Sequence, residues 1–166
     1  MAACLLFVAL ASMAAQLRLL LPFTPVPLTG QVLVVLLAGF VLGRYGGLSM
    51  GMYLVFGSAL GWFSGTAGFS ALSGVTAGYL LGFVLAASLI GELAQRRKDW
   101  SMPQIVAAMS LGVGAIYLAG TAWLSLLLGL GIVEALAIGA LPFLAVDAIK
   151  VLVAASLAYS MTPRRS

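Results

Sequence analysis

The chain has 166 residues and a formal net charge of +4; 63% of its residues are hydrophobic and only 7% are charged. A soluble domain carries about 25% charged residues, and one of this size has too much surface to hide so many apolar side chains. The composition therefore excludes a water-soluble fold. It predicts an all-α integral membrane protein in which about six spans, each of about 20 residues, form one transmembrane domain over residues 1–166.

Missing residue types exclude several kinds of chemistry. The chain has no histidine, which excludes a Ser-His-Asp triad, an HExxH zinc site and a histidine proton relay. Neither lysine stands in a GxxxxGK[ST] pattern, so there is no P-loop, and the lone Cys4 offers neither a disulfide nor a metal cluster. We therefore expect a chain that is not an enzyme and that binds no cofactor or metal, with any ATP hydrolysed by another subunit.

Six apolar runs follow one another along the chain. They cover residues 1–21, 32–42, 48–62, 76–93 and 103–128, and a last run that starts within 142–147 and ends near 161. The first run lacks a basic segment before it and is too long for a typical signal peptide. Residues 64–74 are rich in Gly, Ser, Thr and Ala and predict a loop or re-entrant segment, and residues 129–141 predict a loosely apolar connection.

The segment between the first two runs, PFTPVPLTGQ at 22–31, is rich in proline. Proline lacks an amide hydrogen and disfavours helix for the residue before it, so we expect a stiff, extended loop lying against the protein. Thr24, Thr29 and Gln31 give this loop hydroxyl and amide groups that suit a lid over a small polar ligand. A plain interhelical turn is the alternative.

The basic residues predict the orientation. With six spans and a cytoplasmic N-terminus, six of the eight basic residues fall inside, as the positive-inside rule requires. These six are Arg44, Arg96, Arg97, Lys98, Arg164 and Arg165. Only Arg18 and Lys150 do not follow the rule. The C-terminus is then also cytoplasmic, and the charge is explained without nucleic-acid binding.

Asp147 and Lys150 are the only charged residues in the last apolar run. Three residues apart on a helix, they share a face and can pair. Charges within a membrane are costly and usually face a cavity or a partner, and in the first turn of its helix Asp147 is favoured by the helix dipole. The pattern predicts a ligand site near the outer surface. A self-contained ion pair that only fixes packing is the alternative.

Small residues and tryptophans give weaker signals. Ala11 and Ala15 in the first run, and Gly74, Gly78 and Gly82 around the start of the fourth, stand four residues apart. This spacing permits close helix contact, either within the chain or with another membrane subunit. Trp62 and Trp100 fit interfacial anchors, whereas Trp123 could line a pocket for an apolar ring.

Four segments together resemble the BioY family. AQLRLLLPFTPVPLTGQ at 15–31 is the most specific, followed by LLAG at 36–39, AGYLLGF at 77–83 and LPFLAVDAIK at 141–150. The resemblance covers nearly the whole chain. It implies a substrate-binding S component of an energy-coupling factor (ECF) transporter in a prokaryotic plasma or inner membrane. It also implies six helices, biotin as ligand near the outer face, and as partners a transmembrane coupling protein and ATP-binding-cassette ATPase subunits.

The same resemblance implies roles for individual residues. Asp147 and Lys150 match the family's biotin contacts in the last helix, and Ala11 and Ala15 match its contact with the coupling protein. The loop that looks like the lid contributes Thr24, Pro25, Val26, Thr29 and Gln31. Biotin combines a carboxylate, a ureido group and an apolar bicycle. Lysine can pair with the carboxylate, aspartate can accept from the ureido N–H groups, and Tyr79 or Trp123 can cover the rings.

The chain departs from the family pattern in three places. Ala145-Val146 replaces Pro-Gly, Trp62-Phe63 replaces a longer motif, and the family's Pro-Thr-Gly-Gly-Tyr appears at 75–79 as VTAGY. A different vitamin as ligand therefore stays open. So does a self-sufficient secondary transporter, for which Asp147 is the candidate coupling carboxylate. An intramembrane serine enzyme at GWFSG lacks a histidine base.

Overall fold

The computed structural model describes residues 1–63, 68–97 and 99–162. Within these ranges the chain forms seven α-helices and one small β-hairpin. The helices are α1 (Ala2–Gln16), α2 (Gln31–Leu42), α3 (Tyr45–Leu60), α4 (Ala77–Gln95), α5 (Met102–Leu128), α6 (Ile132–Gly139) and α7 (Leu144–Met161). Short 3₁₀ turns at Gly68–Leu72 and Leu141–Phe143 precede α4 and α7.

The fifth apolar run gives a helix close to its predicted bounds of 103–128, because both ends carry clear signals. The backbone N–H of Ser101 donates to Oε1 of Gln104 at 3.1 Å, and Pro103 stands in the first turn. Both features favour a helix start. At the other end Gly129 adopts the left-handed conformation, with φ of 65°, which is a common helix stop. Local chemistry therefore sets the length of α5.

Helix α4 lies at the centre of the bundle. It packs against α2, α3 and α5, while α7 packs on α2 and α5, and α1 on α2 and α3. The glycines of α4 permit this: a β-carbon at Gly78 would clash with the Trp123 β-carbon, and one at Gly82 would approach the Ile116 α-carbon to 2.9 Å. Small residues on α4 therefore serve packing within the chain, which was one of the two predicted alternatives.

The proline-rich segment is extended, as predicted, but it belongs to a hairpin that begins before it. Strand β1 (Arg18–Leu19) pairs antiparallel with β2 (Leu28–Thr29), so that Arg18 lies opposite Thr29. The predicted first run to residue 21 is therefore too long as a helix, since α1 ends at Gln16. Hydropathy cannot detect this end, because the residues that leave the helix for the hairpin are themselves mostly leucine.

A second difference lies between α5 and α7. The predicted connection at 129–141 contains the eight-residue helix α6. Glu134 accepts a hydrogen bond from the Gly131 backbone N–H at 3.2 Å and so supports the first turn. Eight residues give too few helical repeats for periodicity to separate a short helix from an apolar loop.

Three helical stretches are long and apolar enough to cross a membrane: α4, α5, and the stretch Ile132–Met161 that contains α6 and α7. Helices α1 and α2 are apolar but shorter; the 12 residues of α2 span about 18 Å at 1.5 Å per residue. Many large apolar side chains face outward, among them Leu118 and Leu126, at 73% and 81% exposure. An apolar solvent suits such a surface, whereas the count of six spans stays a prediction.

Candidate ligand-binding site

A cavity lies beneath the hairpin, where α2, α4, α5 and α7 meet. Apolar and aromatic side chains form most of its wall, with a few polar groups among them, which is the usual make-up of a small-molecule site. The lining residues are Val26, Pro27, Leu28, Thr29, Gln31, Val32, Phe63, Thr76, Tyr79, Leu80, Phe83, Ile116, Tyr117, Phe143, Asp147 and Lys150.

Asp147 and Lys150 form the charged part of the wall. Asp147 lies in the first turn of α7, and its Oδ1 accepts a hydrogen bond from Lys150 Nζ at 2.6 Å. Their side chains are only 5% and 14% exposed. The pairing predicted from the spacing is therefore present, and it is shielded from solvent.

Tyr117 of α5 completes this cluster. Its hydroxyl donates to Asp147 Oδ2 at 2.7 Å, so both carboxylate oxygens have a donor. Sequence reasoning missed Tyr117, because it stands 30 residues before Asp147 in a long apolar helix. Its hydroxyl was the one available signal, since a buried tyrosine O–H usually has a hydrogen-bond partner.

Lys150 also holds the hairpin. Its Nζ donates to the Thr29 carbonyl oxygen at 2.7 Å. The Thr29 hydroxyl donates in turn to Gln31 Oε1 at 3.0 Å, and Gln31 Nε2 donates to the Tyr53 hydroxyl at 2.7 Å. Thr29 and Gln31 are both buried. A continuous hydrogen-bonded path therefore joins α7, the hairpin, α2 and α3. Tyr53, like Tyr117, is a residue that the sequence did not indicate.

Only some of the hairpin residues that were predicted to contact the ligand line the cavity. Val26 and Thr29 line the cavity, together with the unpredicted Pro27 and Leu28. Thr24 and Pro25 are not among the described lining residues. The Thr24 hydroxyl accepts from the Val26 backbone N–H at 3.2 Å, so it stabilises the turn instead.

Of the two residues predicted to cover the rings of the ligand, one lines the cavity and the other does not. Tyr79 lines the cavity, and its hydroxyl donates to the Gly139 carbonyl oxygen at 2.8 Å. Trp123 is not among the described residues that line the cavity. Its indole N–H donates to the Gly74 carbonyl oxygen at 2.9 Å, which fixes the short segment between the 3₁₀ turn and α4 against α5. The geometry therefore gives Trp123 a structural contact and does not bring it into the cavity wall.

Ala11 and Ala15, predicted to contact another subunit, lie on the inward face of α1. They are 1% and 0% exposed within the chain itself, because that face of α1 packs on α2 and α3. In this arrangement their small side chains allow close packing of the chain's own helices. Their role in docking stays a prediction that this geometry does not support.

Two of the departures from the family pattern reach the cavity, since Phe63 and Thr76 both line it. Across the described ranges, no group of three or more His, Cys, Asp or Glu side chains could hold a metal ion. The polar groups available to a ligand are thus hydroxyls, an amide and the Asp147–Lys150 pair.

Known proteins resemble this chain along its whole length. The model of the BioY family matches residues 1–166. A biotin transporter BioY from Thermotoga maritima is 38% identical over 144 residues, covering 83% of this chain and 82% of the relative. A probable biotin transporter BioY from Methanothermobacter thermautotrophicus is also 38% identical, over 77% of this chain and 88% of its own.

The fold has a counterpart among crystal structures. The S-component for biotin from an ECF-type ABC transporter, solved at 2.1 Å, superposes with a TM-score of 0.90. The alignment covers 99% of this chain and 91% of that one at 22% sequence identity, so it establishes a shared fold. The family match and the curated relatives establish more: this chain belongs to the BioY family.

Proposed function

We propose that this protein is the biotin-binding S component of an ECF-type transporter and that biotin occupies the cavity beneath the hairpin. The proposal rests on one observation above all. A cluster made of the buried Asp147 and the partly buried Tyr117 and Lys150 faces an otherwise mostly apolar cavity. The names of the relatives and of the superposed structure, all of which concern biotin, give the ligand.

The chemistry of the cavity suits biotin. A lysine ammonium has three N–H donors, and Lys150 uses two of them on Asp147 and Thr29, which leaves one for an acceptor on the ligand. A carboxylate has about four lone-pair positions, so Asp147 keeps capacity for a ureido N–H after its two protein contacts. Phe83 and Phe143, which both line the cavity, can cover the apolar bicycle.

The hairpin is proposed as the lid. It covers the cavity with Val26, Pro27 and Leu28, and the Lys150–Thr29 contact ties it to α7. Because Lys150 Nζ would donate to both the Thr29 carbonyl and the ligand, capture and hairpin position are coupled in the proposal. A plain interhelical turn would not need a charge-assisted hydrogen bond from a residue 121 positions away in the sequence.

Capture at the outer face is supported by the ends of the helices. Cavity residues lie in the first turns of α2 and α7, where Gln31 and Asp147 stand. The basic residues Arg44 and Arg96 follow the opposite ends of α2 and α4. If the basic ends face the cytoplasm, the cavity opens outward. Lys98, Arg164 and Arg165, which the orientation also uses, lie outside the described residues.

We further propose six spans, formed by α1 to α5 and α7 within one transmembrane domain, with both termini cytoplasmic and multi-pass insertion in a prokaryotic plasma or inner membrane. The partners are a transmembrane coupling protein and ATP-binding-cassette ATPases, since the chain has no P-loop of its own. A secondary transporter would need a free coupling carboxylate, but Asp147 is already bound by Lys150 and Tyr117.

Calorimetric titration of the purified protein tests this function. Biotin should bind with one site per chain, whereas vitamins without a ureido ring should produce no binding heat. Preferential binding of another vitamin would show that the proposed ligand is wrong but would leave the fold assignment intact. Uptake in cells that persists after ATP depletion and collapses with the proton gradient would instead favour the secondary transporter.

A further inference from the structure

Asp147 is held on both sides by donors of different kinds. Lys150, one turn along α7, donates to Oδ1 at 2.6 Å, and Tyr117, on α5, donates to Oδ2 at 2.7 Å. With Lys150 alone, the carboxylate could still rotate about its Cβ–Cγ bond, a torsion with broad minima. A second donor on the other oxygen, carried by a different helix, removes that freedom.

The tyrosine contributes this restraint without adding a charge. Asp147 and Lys150 form a pair of zero net charge, 5% and 14% exposed, and a further cation in such surroundings would carry an uncompensated desolvation cost. A neutral phenol supplies a short hydrogen bond to the carboxylate and leaves the charge balance unchanged. Tyr117 itself also lines the cavity.

We propose that Tyr117 is a positioning residue for ligand binding: by fixing the plane of the Asp147 carboxylate, it directs the remaining lone pairs of that carboxylate toward the ligand's N–H donors. This inference rests on the proposed function for the ligand. The orientation of the Asp147 carboxylate does not depend on the proposed function, because it exists before any ligand binds. Tyr117 acts through Asp147, so its effect on binding depends on the Asp147 carboxylate.

A double-mutant cycle tests this dependence. Calorimetry compares biotin binding by the wild type, Tyr117→Phe, Asp147→Asn and the double variant. Tyr117→Phe keeps the ring and removes one hydroxyl, so it should weaken binding by about tenfold, the order expected for one hydrogen bond to a charged group. In the Asp147→Asn background the same change should cost less than about twofold, because coupled residues are non-additive. Equal losses in both backgrounds would overturn the proposal.

A second measurement needs no ligand. The chain has only two aspartates, Asp99 and Asp147, so aspartate labelled with ¹³C at the side-chain carboxyl in an Asp99→Asn background gives one labelled carboxylate. Its infrared stretching band should shift in Tyr117→Phe. The matched control is Tyr79→Phe, which removes a hydroxyl that bonds the Gly139 carbonyl instead, and it should leave the band in place.

The two measurements separate the failure of this inference from failure of the proposed function. An unmoved Asp147 band in Tyr117→Phe would overturn the positioning role even if biotin binds the wild type. A shifted band in a protein that binds no biotin would support the positioning of Asp147 by Tyr117 and would refute biotin as the ligand.

Discussion

Removing one partner of the Asp147–Lys150 pair should cost more stability than removing both. Lys150→Met keeps the aliphatic stem but leaves the Asp147 carboxylate, 5% exposed, with Tyr117 as its remaining side-chain donor. Breaking a buried ion pair in this way costs about 3–5 kcal/mol. Asp147→Leu, which leaves the Lys150 ammonium without its carboxylate, should cost a similar amount. Replacing both residues removes both charges, and such double replacements are often neutral or stabilising.

The assay is the free energy of unfolding of the two single variants and the double variant in the same detergent, measured beside biotin titrations. We expect both single variants to be destabilised by about 3–5 kcal/mol and the double variant to recover most of that loss. Biotin binding should fall by at least about tenfold in all three, since the ligand loses a charged contact in each. A double variant destabilised by the sum of the single losses would refute the ion-pair reasoning, and wild-type affinity in the single variants would remove both residues from the site.

Two further predictions concern the indole contact and the orientation. Trp123→Phe should leave biotin affinity within about twofold and lower stability by about 1 kcal/mol, through loss of the 2.9 Å hydrogen bond to Gly74; a tenfold loss of affinity would place Trp123 in the site. In a cysteine-free background of intact cells, Leu20→Cys should react with a membrane-impermeant thiol reagent and Arg97→Cys should not. The reverse labelling pattern would invert the proposed topology.

Local chemistry made part of the site predictable from sequence. The spacing of Asp147 and Lys150 is a property of one helix, so their pairing follows once that helix is recognised. Pro22, Pro25 and Pro27 forbid helix whatever surrounds them, so the extended segment follows as well. Capping signals set the ends of α5 in the same way. Each of these features depends on residues close together in the chain.

Contacts between distant segments could not be predicted in this way. In α5 apolar residues occur on every side, so the pattern does not indicate that Tyr117 faces α7 while Trp123 contacts the turn before α4. Ala11 and Ala15 show the same limit, because their spacing permits close packing but does not identify the partner surface. The hydrogen bond from Lys150 to the Thr29 carbonyl oxygen involves the backbone, and a pattern of side chains in the sequence carries no information about it.

A structure of the protein determined with biotin present is the decisive test of the proposed function. We expect biotin beneath the hairpin, with an acceptor within hydrogen-bonding distance of Lys150 Nζ, an N–H group on the Asp147 carboxylate, and the bicycle against the aromatic wall. Biotin bound elsewhere, such as in the apolar groove between α1 and α3 that Met13 and Phe56 line, would contradict it.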